Sequence, residues 1–138
     1  MDFSDNYLNM CMNAREIQLA HATYEAGDFY YEGKDPITQQ PRFSVTSESM
    51  DGKQRTIASL KSCWLPRQDQ LQAMLGDYPT QCKLIAPHMM KITIFNDVDT
   101  SPDWIESMEQ LWLTIVMKEK FGKAWKNTDW VKTPTNQT

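Results

Sequence analysis

The segment between residues 101 and 122 constrains the fold most, because its apolar residues cover most of a helix circumference. The apolar set is Trp104, Met108, Leu111, Trp112, Ile115 and Val116, and the polar stripe is Glu106, Gln110, Thr114 and Lys118. A helix with so narrow a polar stripe is typically packed on two sides. Ser101 before Pro102 predicts its start, and the capping-box spacing of Ser107 and Gln110 offers a later one. Gly122 predicts its end.

The N-terminal segment also predicts a helix, from Ser4 to about Thr23. Its apolar face recurs at steps of three and four through Tyr7, Cys11, Ala14, Ile17 and His21. Ser4 is a suitable N-cap, since its hydroxyl can accept a hydrogen bond from a backbone N–H of the first turn. Gly27 breaks the pattern.

Strand signals follow in the middle of the chain. Strand-forming residues occupy 29–31, and "RFSVTSE" (42–48) alternates Phe43 and Val45 with polar neighbours, as in a half-exposed strand. Asp51-Gly52 is a hairpin signal, and "RTIASLKSCWL" (55–65) is a candidate returning strand. The pattern predicts two or three antiparallel strands, and "KITIF" (91–95) predicts a further strand.

The stretch "CWLPRQDQLQAML" (63–75) predicts a short helix. Pro66 suits the first helical position, Asp69 favours the positive end of the helix dipole, and Gly76 suits the C-cap. A binding site at Trp64, Arg67 and Gln68 is the alternative. The next segment, "PTQCKLIAPHMM" (79–90), is ambiguous between a helical turn and an extended connection.

Together these elements predict an α+β fold. A small antiparallel sheet would be packed by two long helices, one N-terminal and one C-terminal, with a short central helix. We expect a single domain over residues 1–132 and a disordered tail over 133–138.

Composition excludes several classes of function. A net charge of −4 disfavours a duplex nucleic acid partner, and no window approaches the apolar length of a membrane span. The acidic N-terminus does not resemble a secretory signal, and three widely spaced cysteines favour a reducing cytosol. The two histidines, His21 and His88, lack metal-ligand spacing. We therefore predict a cytoplasmic protein that is not an enzyme, with no metal, cofactor or membrane partner.

Binding residues are predicted near the C-terminus. Lys123 and Lys126 interleave with Trp125 and Trp130, and a surface of this kind can stack a base and hold a phosphate. The alternative is that the lysines complement the helix C-terminus while the tryptophans pack on the core. The wide apolar face of 104–116 also leaves a homo-oligomer open.

Three segments carry a resemblance: "CWLPRQDQLQAML", "SMEQLWLTIVMKEKFGKAWKNTDWV" and, more loosely, "YLNMCMNAREIQ" followed by "GDFYY". They resemble small proteins encoded by tailed phages and prophages of Gram-positive bacteria. The resemblance implies a setting, the infected host cell, and supplies no catalytic residues. Residues 33–60 do not take part in it.

That setting implies an accessory protein that acts by non-catalytic binding. The expected role is counter-defence, either by inhibiting a host immune protein or by sequestering a nucleotide signal. The alternative is a phage structural, assembly or housekeeping protein without a host target. An enzyme would need a pocket that gathers carboxylates or a histidine.

Overall fold

The structure is a computed structural model that describes residues 1–47, 62–90, 105–126 and 128–132. It confirms an α+β fold with a small antiparallel sheet. The helices are α1 (Asp5–Asn13), α2 (Arg15–Ala20), α3 (Gln68–Ala73), α4 (Tyr78–Met90) and α5 (Met108–Phe121). The strands are β1 (Phe29–Lys34), β2 (Pro41–Val45), β3 (Cys63–Leu65), β4 (Lys123–Lys126) and β5 (Asp129–Lys132). The predicted Asp51-Gly52 hairpin, the 91–95 strand, the earlier α5 start and the disordered tail lie outside the described residues.

The chain divides into two compact units. The N-terminal unit is Phe3–Arg67, and the C-terminal unit is Met1–Asp2 with Gln68–Thr138. The single-domain boundary at residue 132 stays a prediction. In the described part of the chain, no helix has both the length and the apolar character needed to cross a membrane.

The single long N-terminal helix was a wrong prediction, because the segment forms two short helices. Ser4 caps α1 as expected, its hydroxyl accepting from Tyr7 N at 3.2 Å. At Ala14 the backbone turns to ψ 69°, and its N–H bonds to Cys11 O at 3.2 Å, three residues back. α2 then begins at Arg15. Two long helices therefore do not describe the fold.

The sheet of the N-terminal unit has the strand order β2-β1-β3, with both pairs antiparallel. Tyr30 lies opposite Ser44 on one side and opposite Trp64 on the other. A turn leads into β1, in which Gly27 adopts φ +83°. Gly27 N donates to Thr46 O, and Thr46 N donates to Asp28 O, as in a glycine-containing β-bulge.

α5 is the central helix of the C-terminal unit, and its later predicted start is the observed one. Ser107 is the N-cap and accepts from Gln110 N at 3.1 Å. Gly122 is a left-handed C-cap at φ 64°. Six apolar side chains of the helix are buried: Leu111, Trp112, Leu113, Ile115, Val116 and Met117. Of the predicted apolar set, Met108 is instead 38% exposed, and Trp104 lies outside the described residues.

One residue of the predicted polar stripe of α5 is buried. Gln110 is 0% exposed, and its amide accepts from Glu106 N at 2.9 Å and donates to Asp2 Oδ2 at 3.0 Å. The Ser107 hydroxyl also donates to Asp2. A carboxylate is thus held at the positive end of α5, where the helix dipole stabilises it.

Two predictions for the middle of the chain can be compared with the observed helices. The central helix α3 exists but begins at Gln68, two residues after Pro66. The ambiguous 79–90 segment belongs to helix α4, which begins at Tyr78. β4 and β5 form a tight antiparallel hairpin in which Trp125 lies directly opposite Trp130.

Candidate functional site

The sheet of the N-terminal unit carries an apolar cluster, which we call the aromatic face. It consists of Phe29 and Tyr31 of β1, Phe43 and Val45 of β2, and Phe3, which precedes α1. Phe3 contacts Phe29 and Phe43, with ring centroids 5.5 and 4.9 Å apart. Tyr31 contacts Phe43 at 5.7 Å. The rings therefore form one continuous surface across β1 and β2.

Register places these side chains on one side of the sheet. Phe29 lies opposite Val45, and Tyr31 lies opposite Phe43, and directly opposed residues share a face. Phe3, Phe43 and Val45 are 43%, 36% and 58% exposed, and Phe29 and Tyr31 are half-buried. Contiguous exposed apolar surface of this kind marks interaction sites.

Sequence reasoning identified the alternation of Phe43 and Val45 but not which side it exposed. An apolar alternation usually marks the core side of a strand, whereas Phe43 and Val45 of β2 are both exposed. Tyr30 and Trp64, on the other side of the sheet, are buried, but so are Cys63 and Leu65 of β3, which lie opposite Tyr31 and Phe29. The exposure of Phe43 and Val45 therefore goes with the position of β2 at the edge of the described sheet, which the sequence does not display.

On that other side, a buried carboxylate organises a polar and aromatic cluster. Asp28 is 0% exposed, and its Oδ2 lies 2.6 Å from His21 Nε2. The same oxygen accepts from Glu25 N at 2.9 Å and from the Tyr30 hydroxyl at 3.3 Å. The His21 ring stacks on Trp64 with centroids 3.8 Å apart and 7° between planes.

This cluster makes His21 a residue at the edge of the core, consistent with its place on the predicted apolar face of the N-terminal segment. A histidine held by a carboxylate is oriented for proton transfer in many enzymes. Here the partner carboxylate is fully buried and the His21 side chain is only 11% exposed. The arrangement mainly fixes the turn before β1 and the position of Trp64.

Three of the predicted binding residues, Trp64, Arg67 and Gln68, do not form one surface. Trp64 is 2% exposed, which corrects its use as a surface anchor, because its ring lies beneath His21. Arg67 donates to Gly27 O, so it supports the turn before β1. Gln68 lines a cavity in the C-terminal unit.

The predicted binding surface near the C-terminus, at Lys123, Trp125, Lys126 and Trp130, also needs a correction. Trp125 and Trp130 are 9% and 5% exposed, and their rings pack against each other at 5.2 Å. The prediction of an exposed stacking surface is therefore wrong for these two rings, because the hairpin register directs them to the same side. Lys126 is exposed and Lys123 is half-buried. A binding role for the two lysines stays a prediction.

The cavity of about 210 Å³ lies between α3, α4 and α5. Its lining includes Gln68 and Gln72 from α3, Tyr78 and Cys82 from α4, and Trp112 from α5. A hydrogen bond to Cys82, together with the negative charge of its thiolate form, raises the pKa of Tyr78. Among the described residues, no group of three or more His, Cys, Asp or Glu side chains is placed to hold a metal ion.

No protein-family model matches the chain, and comparisons with curated proteins and with solved structures give no match.

Proposed function

We propose that this chain is a phage-encoded accessory protein that acts by non-catalytic binding, as a counter-defence factor that inhibits a host immune protein. The observation that carries the binding proposal is the aromatic face. Phage origin and counter-defence come from the sequence resemblance alone.

The chemistry of the aromatic face suits a protein partner. Aromatic side chains bury large areas at small entropic cost and are enriched among the residues that dominate interface energies. Phe3, Phe43 and Val45 present such area at the surface, and β2 lies at one edge of the described sheet. A partner could therefore gain both apolar contact and backbone hydrogen bonds along β2.

The test removes the apolar surface without disturbing the strand. Phe43→Thr combined with Val45→Thr keeps residues that favour β-structure while removing apolar area. Ile37→Thr is the matched control, because Ile37 is 90% exposed in the β1–β2 loop, outside the aromatic face. Each tagged protein is expressed in phage-infected host cells and recovered, and the co-purifying proteins are quantified by mass spectrometry.

We expect the unaltered protein and Ile37→Thr to retain one host protein at near-equal stoichiometry, and the double variant to lose it. Circular dichroism of the double variant checks that it is folded. Recovery of virion components alone would support the assembly or housekeeping alternative. Undiminished capture by the folded double variant would remove the aromatic face from the proposal.

Counter-defence is tested separately. A phage lacking this gene should propagate poorly on a host that carries the captured immune protein and normally on a host from which it is deleted. Equal propagation on both hosts would contradict the counter-defence role, while the binding proposal would still stand.

A further inference from the structure

The hydrogen bonds at the end of β2 show which of its residues turn their backbone away from β1. Thr46, directly after β2, donates its N–H to Asp28 O at 2.9 Å and accepts from Gly27 N at 3.0 Å, so both of its backbone groups face the β1 side. In an antiparallel pair, successive residues turn their backbone groups alternately towards and away from the neighbouring strand. The N–H and C=O groups of Phe43 and Val45 therefore point away from β1.

The same two residues expose their side chains. Phe43 is 36% exposed and Val45 is 58% exposed, and no strand of the described sheet lies on the outer side of β2. An extended segment added there would form backbone hydrogen bonds with both residues and would place alternate side chains beside the aromatic face. In such strand addition, the main-chain hydrogen bonds give affinity and the alternate side chains give specificity.

The charges along β2 favour an acidic segment. Arg42 is exposed, and no hydrogen bond or ion pair joins it to another described residue, although its positive charge acts on Asp35. The carboxylates of the same hairpin are already engaged. Asp35 accepts from two backbone N–H groups of its own turn, and Glu32 accepts from two serine hydroxyls. A carboxylate on an added strand would therefore find an available cation at Arg42.

We propose that β2 binds an extended segment of a partner protein as an added strand, with an acidic residue of that segment beside Arg42. Side chains alternate between the two sides of a sheet, so Arg42 lies on the opposite side from Phe43 and Val45. The segment should therefore carry two apolar residues separated by one position, with an acidic residue directly next to one of them. A second copy of β2, with the sequence PRFSV, brings no carboxylate to Arg42. This inference names the partner chemistry of the aromatic face and so rests on the proposed function.

The probe is a display library of random dodecapeptides, selected on the immobilised protein. We expect the enriched peptides to share the two spaced apolar residues with an adjacent Asp or Glu. Amide exchange measured by NMR then locates the bound peptide. The N–H groups of Phe43 and Val45 should exchange at least about tenfold more slowly with peptide than without it, whereas the Ser44 N–H, which faces β1, should change little.

Val45→Pro and Val45→Thr form a matched pair that tests the backbone contact. Both variants remove apolar area, but only proline removes the outward N–H, and an edge strand tolerates proline where the N–H faces solvent. We expect Val45→Pro to bind an enriched peptide about tenfold more weakly than Val45→Thr does, since one further hydrogen bond is lost. Circular dichroism checks that both variants are folded.

Arg42→Glu tests the charge contact and decides the matter if Val45→Pro does not fold. This variant should bind an enriched acidic peptide about tenfold more weakly, and exchanging the peptide's acidic residue for lysine should restore binding. Arg15→Glu is the matched control, because it makes the same change of charge at an exposed position on α2. It should bind the acidic peptide as the unaltered protein does.

The proposal would be overturned by a selection that enriches no peptide, or only peptides without the pattern. Equal binding by folded Val45→Pro and Val45→Thr would also overturn it, and so would unchanged exchange at Phe43 and Val45. Slow exchange at these two groups in the peptide-free protein that becomes fast on dilution would assign the edge to a second copy instead. The proposed function fails separately, when Phe43→Thr/Val45→Thr keeps its host protein.

Discussion

The side-chain amide of Gln18 pairs with both backbone groups of Trp64. Trp64 N donates to Gln18 Oε1 at 2.8 Å, and Gln18 Nε2 donates to Trp64 O at 2.8 Å. A side chain thereby supplies the donor and acceptor that a neighbouring strand would supply. The same residue ties α2 to β3, because Gln18 belongs to that helix.

Replacing Gln18 with Ala should therefore destabilise the N-terminal unit. The Trp64 N–H and C=O would lose partners in a part-buried position, and we expect the free energy of unfolding to fall by about 2 kcal/mol. Urea denaturation followed by tryptophan fluorescence measures the change. Gln40→Ala, at an exposed position, is the control and should leave the urea midpoint unchanged. An equal midpoint for Gln18→Ala would show that water replaces the amide without cost.

Asp28→Asn should weaken the cluster that holds His21. The carboxylate oxygen accepts from His21, Glu25 N and Tyr30, and hydrogen bonds to a charged group contribute about 1.5–3 kcal/mol each. We expect a loss of about 3 kcal/mol in calorimetric or urea unfolding. Asp5→Asn, at an exposed position on α1, should change stability far less. A loss below 1 kcal/mol would mean that a neutral amide serves the cluster equally well.

Gly27→Ala and Gly33→Ala form a matched pair of substitutions. Both glycines have positive φ, +83° and +93°, and an L-residue in this region costs about 1–2 kcal/mol. A Cβ at Gly27 would lie 3.1 Å from Arg67 Nη1, whereas a Cβ at Gly33 has nothing within 4 Å. We expect Gly27→Ala to lower the thermal midpoint more than Gly33→Ala does. Equal midpoints would show that Arg67 moves aside freely.

Gln110→Leu should destabilise the start of α5. Its amide joins Glu106 N to the Asp2 carboxylate in a fully buried position, and losing these two hydrogen bonds should cost about 2 kcal/mol. Thr114→Val is a control on the same helix. It removes only a hydroxyl that donates to Gln110 O at 2.8 Å and should cost much less. Urea unfolding of both variants checks the order.

The β1–β2 turn should show a pH dependence that arises from Asp35. Backbone N–H groups of Thr38 and Ile37 donate to its carboxylate and hold its pKa below the usual 3.8. Because the pKa of Asp35 is lower in the folded than in the unfolded state, its ionised carboxylate stabilises the folded protein at pH values above the unfolded-state pKa. This stabilisation is lost as the pH falls from about 3.8 through the folded-state pKa. Asp35→Ala should therefore lower the urea midpoint at pH 7, and the difference from the unaltered protein should shrink towards pH 2. A difference that persists at pH 2 would assign the effect to backbone conformation.

The elements that local signals define were predictable from the sequence. Ser107 and Gly122 mark the ends of α5 because caps act within one turn of the helix. The division of the N-terminal helix was not predictable, because the apolar spacing runs unbroken through Ala14 and neither Gly nor Pro marks the turn.

The residues of the candidate sites depend on pairings between distant parts of the chain. The sequence predicts Gln110 to be a polar surface residue, because it does not show that Asp2 lies within hydrogen-bonding distance of its amide. The sequence left the two hairpin tryptophans open between surface and core; the register places them on one side of the hairpin, and their burial decides for the core. Gln68 was singled out from the sequence, but the cavity it lines also needs α4 and α5.

The Gln18 amide has a consequence for self-association. Unpaired strand edges are templates on which copies of a protein can add strand to strand. At β3, Gln18 already occupies the backbone groups of Trp64, so the described sheet can be extended readily only from β2. Two copies that paired through β2 would form a closed dimer. A filament would need each copy to offer a second free strand edge, to which the next copy could add.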